Sequence, residues 1–169
     1  MSGNFLNEIL YSNINLVEQF NPLLKLDMEF KNSLRLVMEL KKDRALSLSL
    51  DNNLLTEVSG MDYSIGLGYR IKDLRIGQGR SSSKGDLNMK ADLSMRDNIT
   101  IIRNLEIIDN KVTAGQSIWS LKFSADYSLS KSFTAVFFYD HLFSEFAIST
   151  AFPQTTIRSG MTLRYNFGE

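Results

Sequence analysis

Apolar and polar residues alternate along this chain with a period of two, in segments of about 9 to 11 residues, the length that crosses a bilayer as a tilted strand. The pattern is cleanest at 87–96, where Leu87, Met89, Ala91, Leu93 and Met95 alternate with Asn88, Lys90, Asp92, Ser94 and Arg96. It repeats at 119–129, with Trp119, Leu121, Phe123, Ala125, Tyr127 and Leu129 set against Ser120, Lys122, Ser124, Asp126 and Ser128. Residues i and i+2 lie on nearly opposite sides of a helix, so neither row is helical. Weaker alternation marks 24–30, 34–41, 46–50, 63–72 and 160–167. Segment 133–140 is apolar on both faces and reads as strand by composition, with Phe133, Ala135, Phe137 and Tyr139 assigned to the outward side.

These segments predict an all-β fold, an antiparallel meander of about eight long strands over 22–169 that ends in a closing strand at 157–167. Residues 1–21 show no clean period and read as a lead-in segment or partial strand. Tight turns are predicted at 31–33, 42–44 and 130–132, each too brief for anything but a hairpin. Longer connections are predicted at 51–61, 73–85, 97–117 and 142–156. With the C-terminus in the periplasm, counting back eight strands places 51–61, 97–117 and 142–156 on the outer side and leaves the Gly- and Ser-rich loop 76–85 in the periplasm.

Alternation alone suits a soluble sheet with one buried face as well as a membrane barrel. Two features favour the barrel. Only two prolines interrupt the chain and its strands are long, whereas soluble barrels and sandwiches are divided into many short strands. Aromatic residues also collect toward the ends of the apolar rows, where rings suit the headgroup level. The expected fold is therefore a transmembrane outer-membrane β-barrel. Tyr63, Tyr69, Trp119, Tyr127, Phe133, Tyr139, Tyr165 and Phe167 would face lipid as its aromatic girdle. Arg70, Lys72, Lys90, Asp92, Arg96, Lys122, Asp126, Arg158 and Arg164 would face the lumen. Both signs are interspersed there, which points to cross-strand ion pairing for structure rather than a selectivity ring.

Composition narrows the chemistry. Among 169 residues, 19 basic and 19 acidic side chains cancel, so no excess field draws nucleic acid. No cysteine is present and His141 is the only histidine, which leaves no basis for a disulfide, a thiolate site or a histidine-clustered metal site. No apolar run approaches the roughly 18 residues of a membrane helix. The segment MSGNFLNEIL lacks the basic and apolar regions of a secretory signal, so the expectation is a trimmed chain or a piece of a longer one. Asp140 and His141 are neighbours, and neighbours on a strand point to opposite faces. A triad with Ser120, Ser124 or Ser149 would need His141 within hydrogen-bond reach, and no catalytic residue, cofactor or metal is assigned. Gly66 and Gly68 lie within a strand, where close packing against the lumen explains them better than phosphate binding. The Asn98-Ile99-Thr100 sequon is a chance-level match.

Several stretches together carry a resemblance. EQFNPLL at 18–24, LSLSLDNNLLTEV at 46–58, IGLGYRIK at 65–72, RDNITIIR at 96–103, TAGQ at 113–116, SADYSLS at 124–130, FFYD at 137–140 and STAFP at 149–153 resemble, in this order, the C-terminal region of the SprA (Sov) family. That family forms the outer-membrane translocon of the type IX secretion system of Bacteroidetes, a very large single-chain barrel. The resemblance implies closing strands of a protein-conducting channel rather than a complete pore. The implied partners are the remainder of the barrel, secreted cargo with C-terminal sorting domains, plug and cap proteins, the barrel assembly machinery and membrane lipid. The final strand also resembles the signal read by that assembly machinery, on Arg158, Gly160, Leu163 and Tyr165, with Gly168 and Glu169 following the last aromatic. A self-contained eight-stranded structural or adhesive barrel is the alternative, and a soluble lipid carrier a third reading.

Overall fold

The computed structural model describes residues 11–76, 83–107, 109–130, 132–148 and 152–167. They form one antiparallel sheet of seven strands in chain order, β1 (Asn13–Glu29), β2 (Leu34–Ser49), β3 (Leu54–Ile76), β4 (Ser83–Asn104), β5 (Asp109–Ser128), β6 (Phe133–Phe146) and β7 (Gln154–Tyr165). No helix occurs among the described residues. Each strand pairs with its sequence neighbours, and β1 and β7 are the two edges of the sheet.

The sheet is a single layer without a core. Tyr127 is the only buried apolar side chain among the described residues. A compact monomer of 19.2 kDa exposes about 8,400 Å². This chain exposes 13,200 Å². The unpartnered faces of the sheet contribute to the excess.

Seven strands replace the eight expected, because the turn predicted at 42–44 does not exist. Lys42, Asp43 and Arg44 continue β2 and pair with Phe20, Gln19 and Glu18 on β1 and with Met61, Gly60 and Ser59 on β3. At that height both faces of the sheet turn polar, so the alternation that signals a strand disappears while the strand continues. The same cause corrects the long loops predicted at 51–61, 97–117 and 142–156. Strand covers most of those ranges, and the connections shrink to 50–53, 105–108 and 147–153. β1 likewise begins at Asn13, well inside the range read as lead-in. Ser83–Gly85 belong to β4, while 77–82 of the Gly- and Ser-rich loop lie outside the described residues.

The predicted hairpins at 31–33 and 130–132 are present. Phe30 N–H donates to Leu34 O at 2.8 Å and Ser33 N–H to Phe30 O at 3.1 Å, with Ser33 at φ 64°. Ser130 and Phe133 exchange backbone hydrogen bonds at 3.1 and 3.3 Å. Three bulges interrupt the ladder, one of them at Thr113 of β5, between the Thr100–Ala114 and Ile101–Val112 pairs. Residues 21–23 bulge from β1, where Pro22 needs no ladder donor. Lys72 and Asp73 bulge from β3, with Asp73 at φ 54°. The connections 50–53, 105–108 and 147–153 share the end of the sheet opposite Tyr165.

Candidate functional site: the two faces of the sheet

Residues directly opposite one another on paired strands share a face, so the register assembles side chains into rows across the sheet. One row runs through all seven strands as Leu26, Met38, Ile65, Leu93, Leu121, His141 and Ile157. On one side of it lie Leu24, Leu40, Tyr63, Met95, Trp119, Phe143 and Thr155. On the other lie Met28, Leu36, Leu67, Ala91, Phe123, Tyr139 and Ser159. Two further apolar rows follow, ending at Ile71, Leu87, Tyr127, Ala135 and Leu163. The result is a continuous apolar band spanning residues 63–71 of β3, 87–95 of β4 and 119–127 of β5. Many of its side chains are exposed, among them Leu24, Ile65, Leu67, Leu93 and Met161.

Above the band charge interrupts the face, and apolar residues return beyond it at Ile99, Leu16, Leu46 and Ile101. The next row toward the 50–53 end is Phe20, Lys42, Met61, Asp97, Ser117 and Glu145, followed by Glu18, Arg44, Ser59, Ile99 and Gly115. Ser117 Oγ donates to the Asp97 carboxylate. Beyond them Glu57, only 8% exposed, accepts from Arg44 Nε at 2.7 Å and from Arg103 at 2.5 Å, tying β2, β3 and β4 together. Sequence reasoning placed these three residues in a turn and two loops and so missed the cluster. The available signal was parity, since Lys42 and Arg44 keep the even phase of Leu34, Leu36, Met38 and Leu40.

The aromatic residues expected as a girdle share this apolar face. Tyr63 and Trp119 occupy its upper row, while Tyr127, Phe133 and Tyr165 stand at its lower end, with Phe133 opposite Tyr165. Tyr69 lies one row inside the lower edge, and Tyr139 sits in the interior. Tyr127 is buried, and its hydroxyl donates to Leu74 O at 3.1 Å. Phe167 lies past the end of β7, its ring 4.7 Å edge-on from Tyr165.

The opposite face gathers the charges. Arg70, Lys90, Asp92, Arg96, Lys122, Asp126, Arg158 and Arg164 all fall on it by register, whereas Lys72 stands in the β3 bulge outside the paired ladder. Asp92, Lys122, Asp140 and Arg158 lie directly opposite one another on β4 to β7, so the sign alternates across four strands. Arg158 donates to Asp140 at 3.0 Å, and Arg35 grips Asp27 with two bonds of 2.6 and 3.1 Å. At the foot of β4, outside the apolar rows, Arg70 at 2.5 Å and the Asp73 N–H at 3.2 Å hold the Asp86 carboxyl below the usual carboxylate range. Glycines open space for these groups: a Cβ on Gly66 would sit 2.7 Å from an Asp92 carboxylate oxygen, and one on Gly160 would sit 2.9 Å from the Phe138 ring.

No protein-family model matches this chain, and no curated protein does. Its chemistry must be read from the two faces. His141 lies on the apolar face and Ser120 and Ser124 on the polar one, so the register separates them. Ser149 lies outside the described residues. Of the residues resembling an assembly signal, Arg158 and Gly160 take the polar face of β7, and Leu163 and Tyr165 the apolar one.

Proposed function

We propose that this chain is a length of outer-membrane β-barrel wall, the C-terminal arc of a SprA-like protein-conducting channel of type IX secretion. The observation that carries the reading is the apolar band. It runs nine residues along each central strand, the length of a tilted bilayer crossing, and directly above it Glu18, Lys42, Arg44, Asp97 and Glu145 bring charge onto the same face on β1, β2, β4 and β6. A single-layer sheet with no core has nothing else to bury that face against. The polar face then becomes a wettable lumen wall of alternating charge along which cargo proteins pass, and plug, cap and assembly proteins are the expected partners.

The open sheet favours an arc over a self-contained small barrel, because the strands at its two edges are unpaired and unpaired edges are intolerable in lipid. Three experiments test the reading. Trp119 is the only tryptophan and sits at the upper edge of the band, so its fluorescence in phosphatidylcholine vesicles should be quenched by brominated lipid. A monomer stable in buffer without detergent overturns the membrane reading. Sequencing upstream separates arc from small barrel: an in-frame run of further alternating strands supports the arc, and a signal peptide immediately before Met1 removes it.

A further inference from the structure

The Asn166 N–H donates to Ser132 O at 2.8 Å, in the same register that sets Arg164 opposite Thr134 and Arg158 opposite Asp140. Hydrogen-bonded and open pairs alternate along an antiparallel ladder, so the even-numbered residues of β7 turn their backbone groups toward β6. The N–H and C=O groups of Ile157, Ser159, Met161 and Leu163 therefore face the open edge. Each of these four residues sits in a row of the apolar band, where hydrocarbon offers the backbone no partner. Proteins blunt exposed edges with prolines and bulges. β1 is broken in this way by Pro22 and the 21–23 bulge. β7 is not: its 12 residues contain no proline and pair with β6 without a register shift.

Resting on the membrane reading above, we infer that the β7 edge is a strand-addition site, and that its occupant is an antiparallel strand from the remaining barrel wall. Direction excludes the nearer candidates. Every neighbouring pair in the sheet is antiparallel, so β1 and β7 run the same way. The β1 edge of this chain, or of a second copy inserted in the same orientation, would meet β7 in parallel, whereas bacterial membrane barrels are antiparallel. The β7 edge of a second copy fits only if that copy is inverted across the bilayer. An antiparallel wall closes on an even number of strands, so an odd number joins these seven. The two faces dictate the side chains of the first one. Opposite Ile157, Met161 and Leu163 it carries apolar residues. On the inward side the row Asp92, Lys122, Asp140 and Arg158 alternates in sign, and Arg164, exposed two rungs before the end of the ladder's charges, has no ion-pair partner among the described residues. The added strand therefore presents a carboxylate to Arg164.

Thr162 points inward between Arg164 and Gly160, away from lipid, and is the place for a photo-crosslinking residue. The full chain with benzoylphenylalanine at 162 is irradiated in native membranes, and the adducts are digested and read by mass spectrometry. The inference expects a peptide from outside residues 1–169 in which apolar and polar residues alternate, with Asp or Glu in the polar phase. Arg164→Gln should lower the adduct yield several-fold, and Arg164→Lys should restore it. Met161→Pro removes one edge-facing N–H and no bond to β6, and should lower the yield as well. Trp119 quenching by brominated lipid reports that each variant has inserted. Adducts confined to residues 1–169 assign the cover to this chain or a second copy and overturn the inference. Adducts to lipid alone, to a peptide without alternation, or a yield indifferent to Arg164→Gln overturn it too, and with Trp119 still quenched they leave the membrane reading standing. Absence of quenching in the unsubstituted chain overturns the membrane reading instead.

Discussion

Leu93 and Ser94 are consecutive residues with opposite surroundings, and the contrast makes a direct test of the two faces. Leu93 sits in the central apolar row, and Ser94 lies among Ser64 and Ser120 on the polar face. Leu93→Arg places a charge where the band is widest and should lower folding stability in lipid vesicles by about 2–4 kcal/mol, read from denaturant titration. Ser94→Arg in the same experiment should cost less than about 1 kcal/mol. Equal costs would mean that the faces are misassigned. Glu57 is the residue on which two arginines converge, and it is nearly buried. Glu57→Gln leaves Arg44 and Arg103 without their shared counter-charge and should cost about 1–3 kcal/mol by the same titration, with part of the loss recovered in a Glu57→Gln/Arg103→Gln double variant.

The strands themselves were readable wherever one face is apolar. Residues 63–71, 87–96 and 119–128 of the predicted segments lie within β3, β4 and β5 in the phase that alternation assigns, and the pairing of Tyr63, Met95 and Trp119 follows from that phase. Reading failed just above the band, although alternation resumes farther along β2 at Leu46 and Leu48. There Lys42, Arg44, Glu57 and Asp97 replace apolar residues on one face while polar residues persist on the other, and a strand polar on both sides is indistinguishable from a loop by period. The site residues divide in the same way: the charges on the polar face were found by alternation, and the Arg44–Glu57–Arg103 cluster was hidden by its loss. A register experiment tests the corrected element. Inserting one alanine between Lys42 and Asp43 exchanges the two faces of everything beyond it and should abolish protease-resistant folding in vesicles. The same insertion between Asn52 and Asn53, in the turn after β2, should be tolerated. If both are tolerated, β2 breaks where the sequence suggests.

At the scale of the whole sheet, edge strands hold half the ladder partners of central ones. Hydrogen exchange of the chain in detergent should therefore be fastest in β1 and β7 and slowest in β3 and β4. Uniform protection across all seven would indicate that the edges are closed against each other in solution. The strands also outlast the apolar band: residues 54–62 of β3 and 96–104 of β4 continue beyond it as paired sheet. Nine residues of strand add about 30 Å of wall along the strand direction. A compact domain of 100 to 150 residues is about 35 Å across. In a wall of the proposed kind, such a passenger is clear of the hydrocarbon while still sheathed by protein for most of its length. Crossing the bilayer and reaching the surroundings become separate events, and the collar between them is where a passenger can be held, inspected or handed on.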